Sequence, residues 1–104
     1  MAKFVRVCGV SDIPNGKVGY AEVDGLRLAI CHQDGQFYAI DDVCTHDGGP
    51  LDQGELQGFN IECPRHGAKF DIRTGRVTAL PAIIPVGTYD VTVNGNDVLV
   101  DVEV

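Results

Sequence analysis

Cys44-Thr45-His46 and Cys63-Pro64-Arg65-His66 are the two segments that decide the fold of this chain. Each segment offers one thiol and one imidazole, and sixteen residues separate His46 from Cys63. Thiolate sulfur and imidazole nitrogen are ligands that bind transition metals well. Glycines near both segments permit the tight loops that could bring such ligands together. The spacing therefore predicts one metal centre, held by Cys44, His46, Cys63 and His66.

Two sulfur and two nitrogen ligands suit two kinds of metal site. A structural zinc ion also takes two cysteines and two histidines, but like ligands then usually stand close together, as C-x2–4-C and H-x3–5-H. A Rieske [2Fe–2S] cluster takes two cysteines on one iron and two histidines on the other. The mixed order C-x-H-x16-C-x2-H favours the cluster, and a zinc site remains the alternative.

The chain resembles the Rieske family at these motifs, which read C-T-H-D-G-G-P-L and C-P-R-H-G-A-K-F-D. The resemblance extends over essentially the whole chain and is strongest towards the small ferredoxins that serve bacterial ring-hydroxylating dioxygenases. It implies an all-β fold of the Rieske type, an antiparallel β-sandwich base with a small inserted cluster-binding subdomain. That subdomain would span about residues 41–80 of a single domain 1–104. The resemblance also implies one [2Fe–2S] cluster as cofactor, with Cys44, His46, Cys63 and His66 as its ligands.

The resemblance implies an electron carrier and not an enzyme. Such a carrier takes single electrons from an NAD(P)H-dependent flavin reductase and passes them to a terminal non-haem iron oxygenase. The chain has three histidines and the cluster would use two, so His32 alone cannot supply the two histidines of a mononuclear oxygenase site. No G-x-G-x-x-G follows a predicted strand, so no nicotinamide site is indicated. Two alternatives remain: the small subunit of an assimilatory NADH-dependent nitrite reductase, and a redox-sensing or assembly module.

Four positions near the ligands differ from the high-potential members of the resembled family. Those members have two further cysteines that form a disulfide between the ligand loops, where this chain has Gly49 and Arg65. They also have a serine and a tyrosine whose hydroxyls bond to cluster sulfurs, where this chain has Ala68 and Phe70. Hydrogen bonds to sulfur stabilise the reduced cluster. Their loss therefore predicts a reduction potential at the low end of the Rieske window of about −150 to +300 mV.

The composition excludes some classes of partner. The net charge of −7 would repel nucleic-acid phosphates and favours a protein partner with a basic patch. No stretch approaches the ~20 apolar residues of a membrane span, and no secretory signal is recognisable. We therefore expect a cytoplasmic monomer that contacts its partners transiently. Charged residues near the ligand loops are candidates for a docking rim: Asp41, Asp42, Asp47, Asp52, Glu55, Arg65 and Lys69.

Short alternating runs between turn residues predict β-strands throughout and no convincing helix. Asp24-Gly25 predicts a hairpin between Gly19–Val23 and Leu26–Cys31, because this dipeptide suits a two-residue turn. A second hairpin is predicted between Thr88–Val93 and Val98–Val104. Residues 41–58 are glycine-rich and predict a loop outside the core. The other predicted strands are Lys3–Cys8, Gln36–Ile40, Phe59–Glu62 and Ala68–Ile72.

Predictions can also be made for two cysteines, one histidine and one loop outside the ligand motifs. Cys8 and Cys31 lie in apolar runs, and we expect buried free thiols there, since a cytoplasmic protein rarely forms disulfides. His32 is expected to be a surface histidine or one with its hydrogen bonds satisfied. Leu80-Pro81-Ala82 is the candidate for the loop that covers the cluster in the resembled family.

Overall fold

Over residues 2–103, which a computed structural model describes, the chain forms eleven β-strands in three antiparallel sheets. The first sheet, in the order β1-β11-β10, consists of Phe4–Gly9 (β1), Asp97–Asp101 (β11) and Val91–Asn94 (β10). The second, β2-β3-β4-β9, consists of Lys17–Val23 (β2), Leu26–Gln33 (β3), Gln36–Asp41 (β4) and Thr88–Tyr89 (β9). The third, β5-β6-β7-β8, consists of Glu55–Gln57 (β5), Asn60–Glu62 (β6), Lys69–Asp71 (β7) and Val77–Ala79 (β8).

The predicted all-β fold is confirmed. The helical structure found in residues 2–103 is a single 3₁₀ turn, Val10–Asp12, between β1 and β2. In the same part of the chain, no helix is long and apolar enough to cross a membrane.

Tight turns set the register of the second sheet. Asp24 and Gly25 have φ angles of 51° and 83°, the two positive values of a type I′ hairpin turn, and they join β2 to β3. Asp34 and Gly35, with φ angles of 55° and 75°, join β3 to β4 in the same way. The turn at Asp24-Gly25 lies where the sequence predicts it, because only residues that tolerate positive φ suit these positions.

The second sheet separates two apolar cores. From β3, Ala29 and Cys31 face the core shared with the third sheet, whereas Leu28 and Ile30 face the core shared with the first sheet. All four side chains are at most 1% exposed. Because successive residues of a strand point to opposite faces, β3 is buried on both sides and forms a rigid support for what lies beyond it.

The third sheet is formed wholly from the chain between β4 and β9. The first and second sheets together form the base of the molecule. Because β4 and β9 are paired, with Ala39 opposite Tyr89, the chain leaves this base and returns to it at neighbouring positions. The Tyr89 hydroxyl donates to Asp41 Oδ1 at 2.5 Å, and the Asp41 N–H donates to the Gly87 carbonyl at 2.9 Å. These two hydrogen bonds join the segment that leaves β4 to the segment that enters β9. The third sheet occupies the region where the sequence analysis expects a cluster-binding subdomain.

Some strand predictions are corrected by the structure. The predicted strand Thr88–Val93 is divided at Asp90, since β9 pairs with β4 in the second sheet and β10 pairs with β11 in the first. β5 lies within residues 41–58, where the sequence predicts loop, and β8 was not predicted at all, because three residues are too few to show an alternating pattern. Val104, predicted at the end of the last strand, lies outside the described residues, as does Met1.

Two predictions of burial also change. Leu51, which belongs to the glycine-rich stretch expected outside the core, is fully buried. Cys31 is buried as expected, but Cys8 is only half-buried. Both are free thiols.

Candidate metal centre

Two loops of similar backbone geometry carry the predicted ligands. In loop 1, residues 42–54, the Gly48 N–H donates to the Cys44 carbonyl at 2.7 Å, and the Cys44 N–H donates to the Gly49 carbonyl at 2.7 Å. In loop 2, residues 63–68, the Gly67 N–H and the Cys63 carbonyl make the same bond at 3.0 Å. Gly48 and Gly67 each have a φ angle of 76°, a conformation that side chains disfavour. Each loop thus turns tightly about its cysteine.

The two predicted cysteine ligands lie together in the core. Cys44 and Cys63 are both fully buried, and their sulfur atoms belong to a group of potential ligands that lie within 4.8 Å of one another. Burial, with the neighbouring Cys63, raises the pKa of the Cys44 thiol. A metal would offset this cost, because binding replaces the thiol proton.

The two predicted histidine ligands lie together at the surface. The ring centroids of His46 and His66 are 5.0 Å apart, with an angle of 82° between the planes. Nitrogen atoms of both rings fall in a second group of potential ligands within 4.8 Å of one another. The His66 side chain is 47% exposed. Imidazoles at this position are accessible to another protein, in contrast to the thiols.

The separation of sulfur from nitrogen donors tests which metal group fits. A single tetrahedral zinc ion, with bonds of about 2.0–2.3 Å, needs all four donor atoms within about 4 Å of one another. Among the residues that the structure describes, neither group within 4.8 Å contains both thiols and both imidazoles. A two-iron cluster with its sulfur ligands on one iron and its nitrogen ligands on the other fits this arrangement.

Asp47 and Arg65 join the two loops. Arg65 Nε donates to Asp47 Oδ2 at 2.6 Å and Arg65 Nη2 donates to Asp47 Oδ1 at 3.2 Å, while Arg65 Nη1 donates to the Pro50 carbonyl at 3.1 Å. The guanidinium holds the pKa of the Asp47 carboxyl well below its usual range. Asp47 Oδ2 also lies 3.4 Å from His66 Nε2. Arg65 and Asp47 thus pair with each other, whereas the sequence offered both as candidates for a docking rim, with ordinary solvation of the loops as the alternative.

Asp42 also departs from the predicted docking rim. It is only 3% exposed, and one carboxylate oxygen accepts the Leu51 and Asp52 N–H groups, both at 2.7 Å. Asp42 thus fixes the far end of loop 1 to its beginning. A hydrogen bond to Asp42, then burial, raises the pKa of the Asp52 carboxyl to about 6.

Asp52→Asn is expected to stabilise the protein at pH 7 and to have little effect at about pH 3.5, below both the folded-state and the unfolded-state pKa. A carboxyl with a raised folded-state pKa holds its proton more tightly when folded, so stability falls as the pH rises from about 4 through about 6. Asparagine resembles the protonated form. Because solvent screens the partly exposed Asp52, the expected gain in the free energy of unfolding at pH 7 is only about 1 kcal/mol, or about 4 °C in Tm.

Thermal unfolding followed by circular dichroism at the two pH values measures this effect. Glu55→Gln is the matched control, because it removes one exposed carboxylate charge on β5 without touching Asp42. An equal rise of Tm in both variants, or an equal rise for Asp52→Asn at both pH values, would contradict the carboxyl pair as the cause.

The segment that follows β8 lies against loop 1. The Thr45 hydroxyl donates to the Ile84 carbonyl at 2.6 Å. Ala82 is fully buried, but Leu80, Ile83 and Ile84 are 75%, 79% and 59% exposed. The candidate covering loop therefore forms an apolar surface beside the ligand loops. Ile83 and Ile84 were not predicted as part of this surface, although they are visible in the sequence as an apolar pair between two prolines.

His32 is remote from this arrangement, as expected. It lies on β3, where it stacks on Phe37 with the ring centroids 4.1 Å apart. Its Nδ1 lies 2.7 Å from the Ile13 carbonyl, and since a carbonyl only accepts, this nitrogen is the donor. His32 is thus satisfied within the base.

Comparison with known proteins agrees with this geometry. The profile of the Rieske [2Fe–2S] domain family matches residues 3–90. The ferredoxin component of biphenyl 2,3-dioxygenase from Rhodococcus jostii (strain RHA1) is 38% identical over 100 residues, which cover 96% of this chain and 94% of that protein. The ferredoxin of carbazole 1,9a-dioxygenase from Nocardioides aromaticivorans IC177 superposes with a TM-score of 0.92 at 37% identity, covering 96% and 98% of the two chains.

A solved complex of reduced oxygenase and oxidized ferredoxin in carbazole 1,9a-dioxygenase contains a chain that superposes with a TM-score of 0.89 at 36% identity, covering 94% and 92%. A protein described as the small subunit of an NADH-dependent nitrite reductase, from Mycobacterium tuberculosis, has a TM-score of 0.87 at 18% identity, which shows a shared fold alone. The similarity at higher identity extends along nearly the whole chain and includes both ligand loops. The chain therefore belongs to the Rieske [2Fe–2S] domain family.

Proposed function

We propose that this protein carries single electrons from an NAD(P)H-dependent flavin reductase to the terminal non-haem iron oxygenase of a ring-hydroxylating dioxygenase system. It does so through one Rieske cluster, with Cys44 and Cys63 on one iron and His46 and His66 on the other. The observation that carries this proposal is the division of the donors into a buried sulfur pair and an exposed nitrogen pair. The ferredoxin names of the relatives at 37–38% identity support the same role.

The cluster, when bound, supplies a one-electron couple. Cys44 and Cys63, which are buried in the apolar core, would hold the cluster from the side that excludes water. His46 and His66, which lie at the surface, would hold it from the side within reach of a partner. The protein itself transforms no substrate, and its relatives are named as components of dioxygenase systems.

The ferredoxin role is favoured over a nitrite reductase small subunit, because the likeness to that class is at the level of the fold alone. A redox-sensing or assembly role would need no fast exchange with both a reductase and an oxygenase. We place the protein in the cytoplasm, where NAD(P)H is available to the reductase, and we expect a monomer, since transient electron-transfer contacts are small.

Anaerobic electron transfer tests this function. The holoprotein is mixed with NADH and the reductase component of a biphenyl dioxygenase system, and reduction of the cluster is followed by absorbance and by EPR. Addition of the matching oxidised oxygenase should then reoxidise the cluster in stopped-flow measurements. A cluster that the reductase reduces but no oxygenase of this class reoxidises would overturn the proposed role.

The apolar surface at Leu80, Ile83 and Ile84 is the part of the contact that we expect to matter most. Ile83→Glu should weaken binding to the oxygenase by about tenfold, because it places a charge on an interface of low polarity. Val93→Glu is the matched control, since Val93 is 48% exposed and lies on β10 in the first sheet. The dissociation constants come from titration of the oxygenase with each holoprotein. Equal weakening by both variants would indicate a charge effect without a local contact.

A further inference from the structure

We propose that Arg65 and Asp47 form an ionic clamp that holds the two ligand loops together and thereby retains the cluster. The clamp takes the place of the disulfide that joins these loops in high-potential Rieske proteins, since Arg65 stands at one of the two cysteine positions and lies against Gly49, at the other. The inference rests on the ligand assignment of the proposed function.

The contacts of Arg65 all reach across from loop 2 to loop 1. Arg65 Nε and Nη2 donate to the two carboxylate oxygens of Asp47, at 2.6 and 3.2 Å. Arg65 Nη1 donates to the Pro50 carbonyl at 3.1 Å. A guanidinium and a carboxylate in this paired arrangement form a directional contact, which fixes orientation as well as distance. The Gly49 N–H donates to Asp47 Oδ1 at 2.9 Å and holds the carboxylate in place.

Gly49 leaves space on loop 1 for the guanidinium of Arg65. A Cβ atom added to Gly49 would lie 2.4 Å from Arg65 Cζ, so a larger residue would displace the guanidinium. The side chains of Arg65 and Asp47 are 33% and 18% exposed, against 54% and 52% for the ion pair of Arg6 and Asp97. Water screens the clamp less than it screens that surface pair.

The clamp is placed to act on the ligands. Asp47 directly follows His46 in the chain, and Arg65 directly precedes His66. If the two loops part, the two imidazoles part with them. A chelate of four ligands on two loops loses its metal when one loop moves away, so a contact between the loops should slow that loss.

Loss of the cluster from the holoprotein measures the clamp. Arg65→Gln should lose its visible absorbance and release iron to a chelator about fivefold faster than the wild type, an effect of the size expected for one ion pair. Arg6→Gln is the matched control, because it removes an arginine–carboxylate pair between β1 and β11. The clamp is overturned if Arg65→Gln and the control retain the cluster equally well.

Further variants separate the clamp from a general effect of charge. Asp47→Asn should lose the cluster at least as fast as Arg65→Gln, because Asp47 also lies 3.4 Å from His66 Nε2. The double variant should lose it no faster than Asp47→Asn alone, since both single variants remove the same ion pair. Additive rates would refute the pairing. Arg65→Lys, which keeps the charge without the paired hydrogen bonds, should keep the wild-type reduction potential but restore cluster retention only in part. Raising NaCl from about 0.05 to 1 M should hasten loss from the wild type but not from Arg65→Gln.

Failure of the clamp can be distinguished from failure of the proposed function. A wild-type protein that holds no [2Fe–2S] cluster would refute the ligand assignment itself. A wild type that holds the cluster and an Arg65→Gln variant that holds it equally long would refute the clamp alone.

Discussion

Cys44→Ala is expected to abolish the [2Fe–2S] cluster, whereas Cys31→Ala should leave it in place. Both cysteines are fully buried free thiols in the same apolar core, so the two substitutions remove the same atoms from similar surroundings. The sulfur of Cys44 lies near that of Cys63, but Cys31 belongs to β3 of the base. Removing a ligand of a metal centre forfeits binding, while a core substitution of this size costs about 1–3 kcal/mol of stability.

Two irons per chain and a rhombic EPR signal with a low average g value, after dithionite reduction, report the intact cluster. We expect both readouts to vanish in Cys44→Ala and to persist in Cys31→Ala. His66→Ala and His32→Ala form a second matched pair, since His32 is satisfied by the Ile13 carbonyl. A full signal in Cys44→Ala, or one zinc ion per wild-type chain in place of iron, would contradict the cluster assignment.

The second prediction concerns the reduction potential, which we expect below roughly +100 mV in the wild type. Ala68 and Phe70 stand where high-potential proteins have hydroxyls, and both side chains are fully buried. The Ala68 carbonyl accepts the Cys63 N–H at 2.7 Å, which places it at the base of loop 2. Without hydroxyl donors, the reduced and more negative cluster is less stabilised.

Restoring the hydroxyls should raise the potential. The double variant Ala68→Ser and Phe70→Tyr is expected to gain on the order of 100 mV, if each hydrogen bond contributes about 1.5–3 kcal/mol to the reduced state. Phe37→Tyr is the matched control, because Phe37 is 8% exposed and lies in the other core. Redox titration followed by circular dichroism gives the midpoints. A wild-type midpoint above +100 mV, or a double variant unchanged from wild type, would refute the argument.

The metal centre could be predicted because its requirements are local in the chain. A thiol and an imidazole separated by one or two residues reach the same centre from a single loop, so Cys44 with His46 and Cys63 with His66 are visible as motifs. The hairpin turns at Asp24-Gly25 and Asp34-Gly35 were equally predictable, since positive φ angles restrict the residues that can occupy them. Departures from the family pattern at Ala68 and Phe70 could also be identified in the sequence.

Features that depend on distant partners could not be predicted in this way. Asp42 and Asp47 have the same side chain and lie in the same loop, yet one is buried to bind N–H groups and the other binds Arg65. The alternating pattern of Thr88–Val93 predicts one strand. In the structure its first part pairs with β4 and its second part pairs with β11, and these two strands belong to different sheets. Pairing across sheets leaves no mark in the local sequence.

The sequence by itself determined the all-β class, the four candidate ligands and the lack of a hydroxyl at Ala68 and Phe70, because each depends on residue type and short spacing. Only the tertiary structure decided that the thiols are buried together while the imidazoles meet at the surface. It also decided that Arg65 reaches across to Asp47 and that Leu80, Ile83 and Ile84 face outward. These relations arise when the third sheet packs on the base, since burial and charge pairing depend on which distant residues the fold brings into contact.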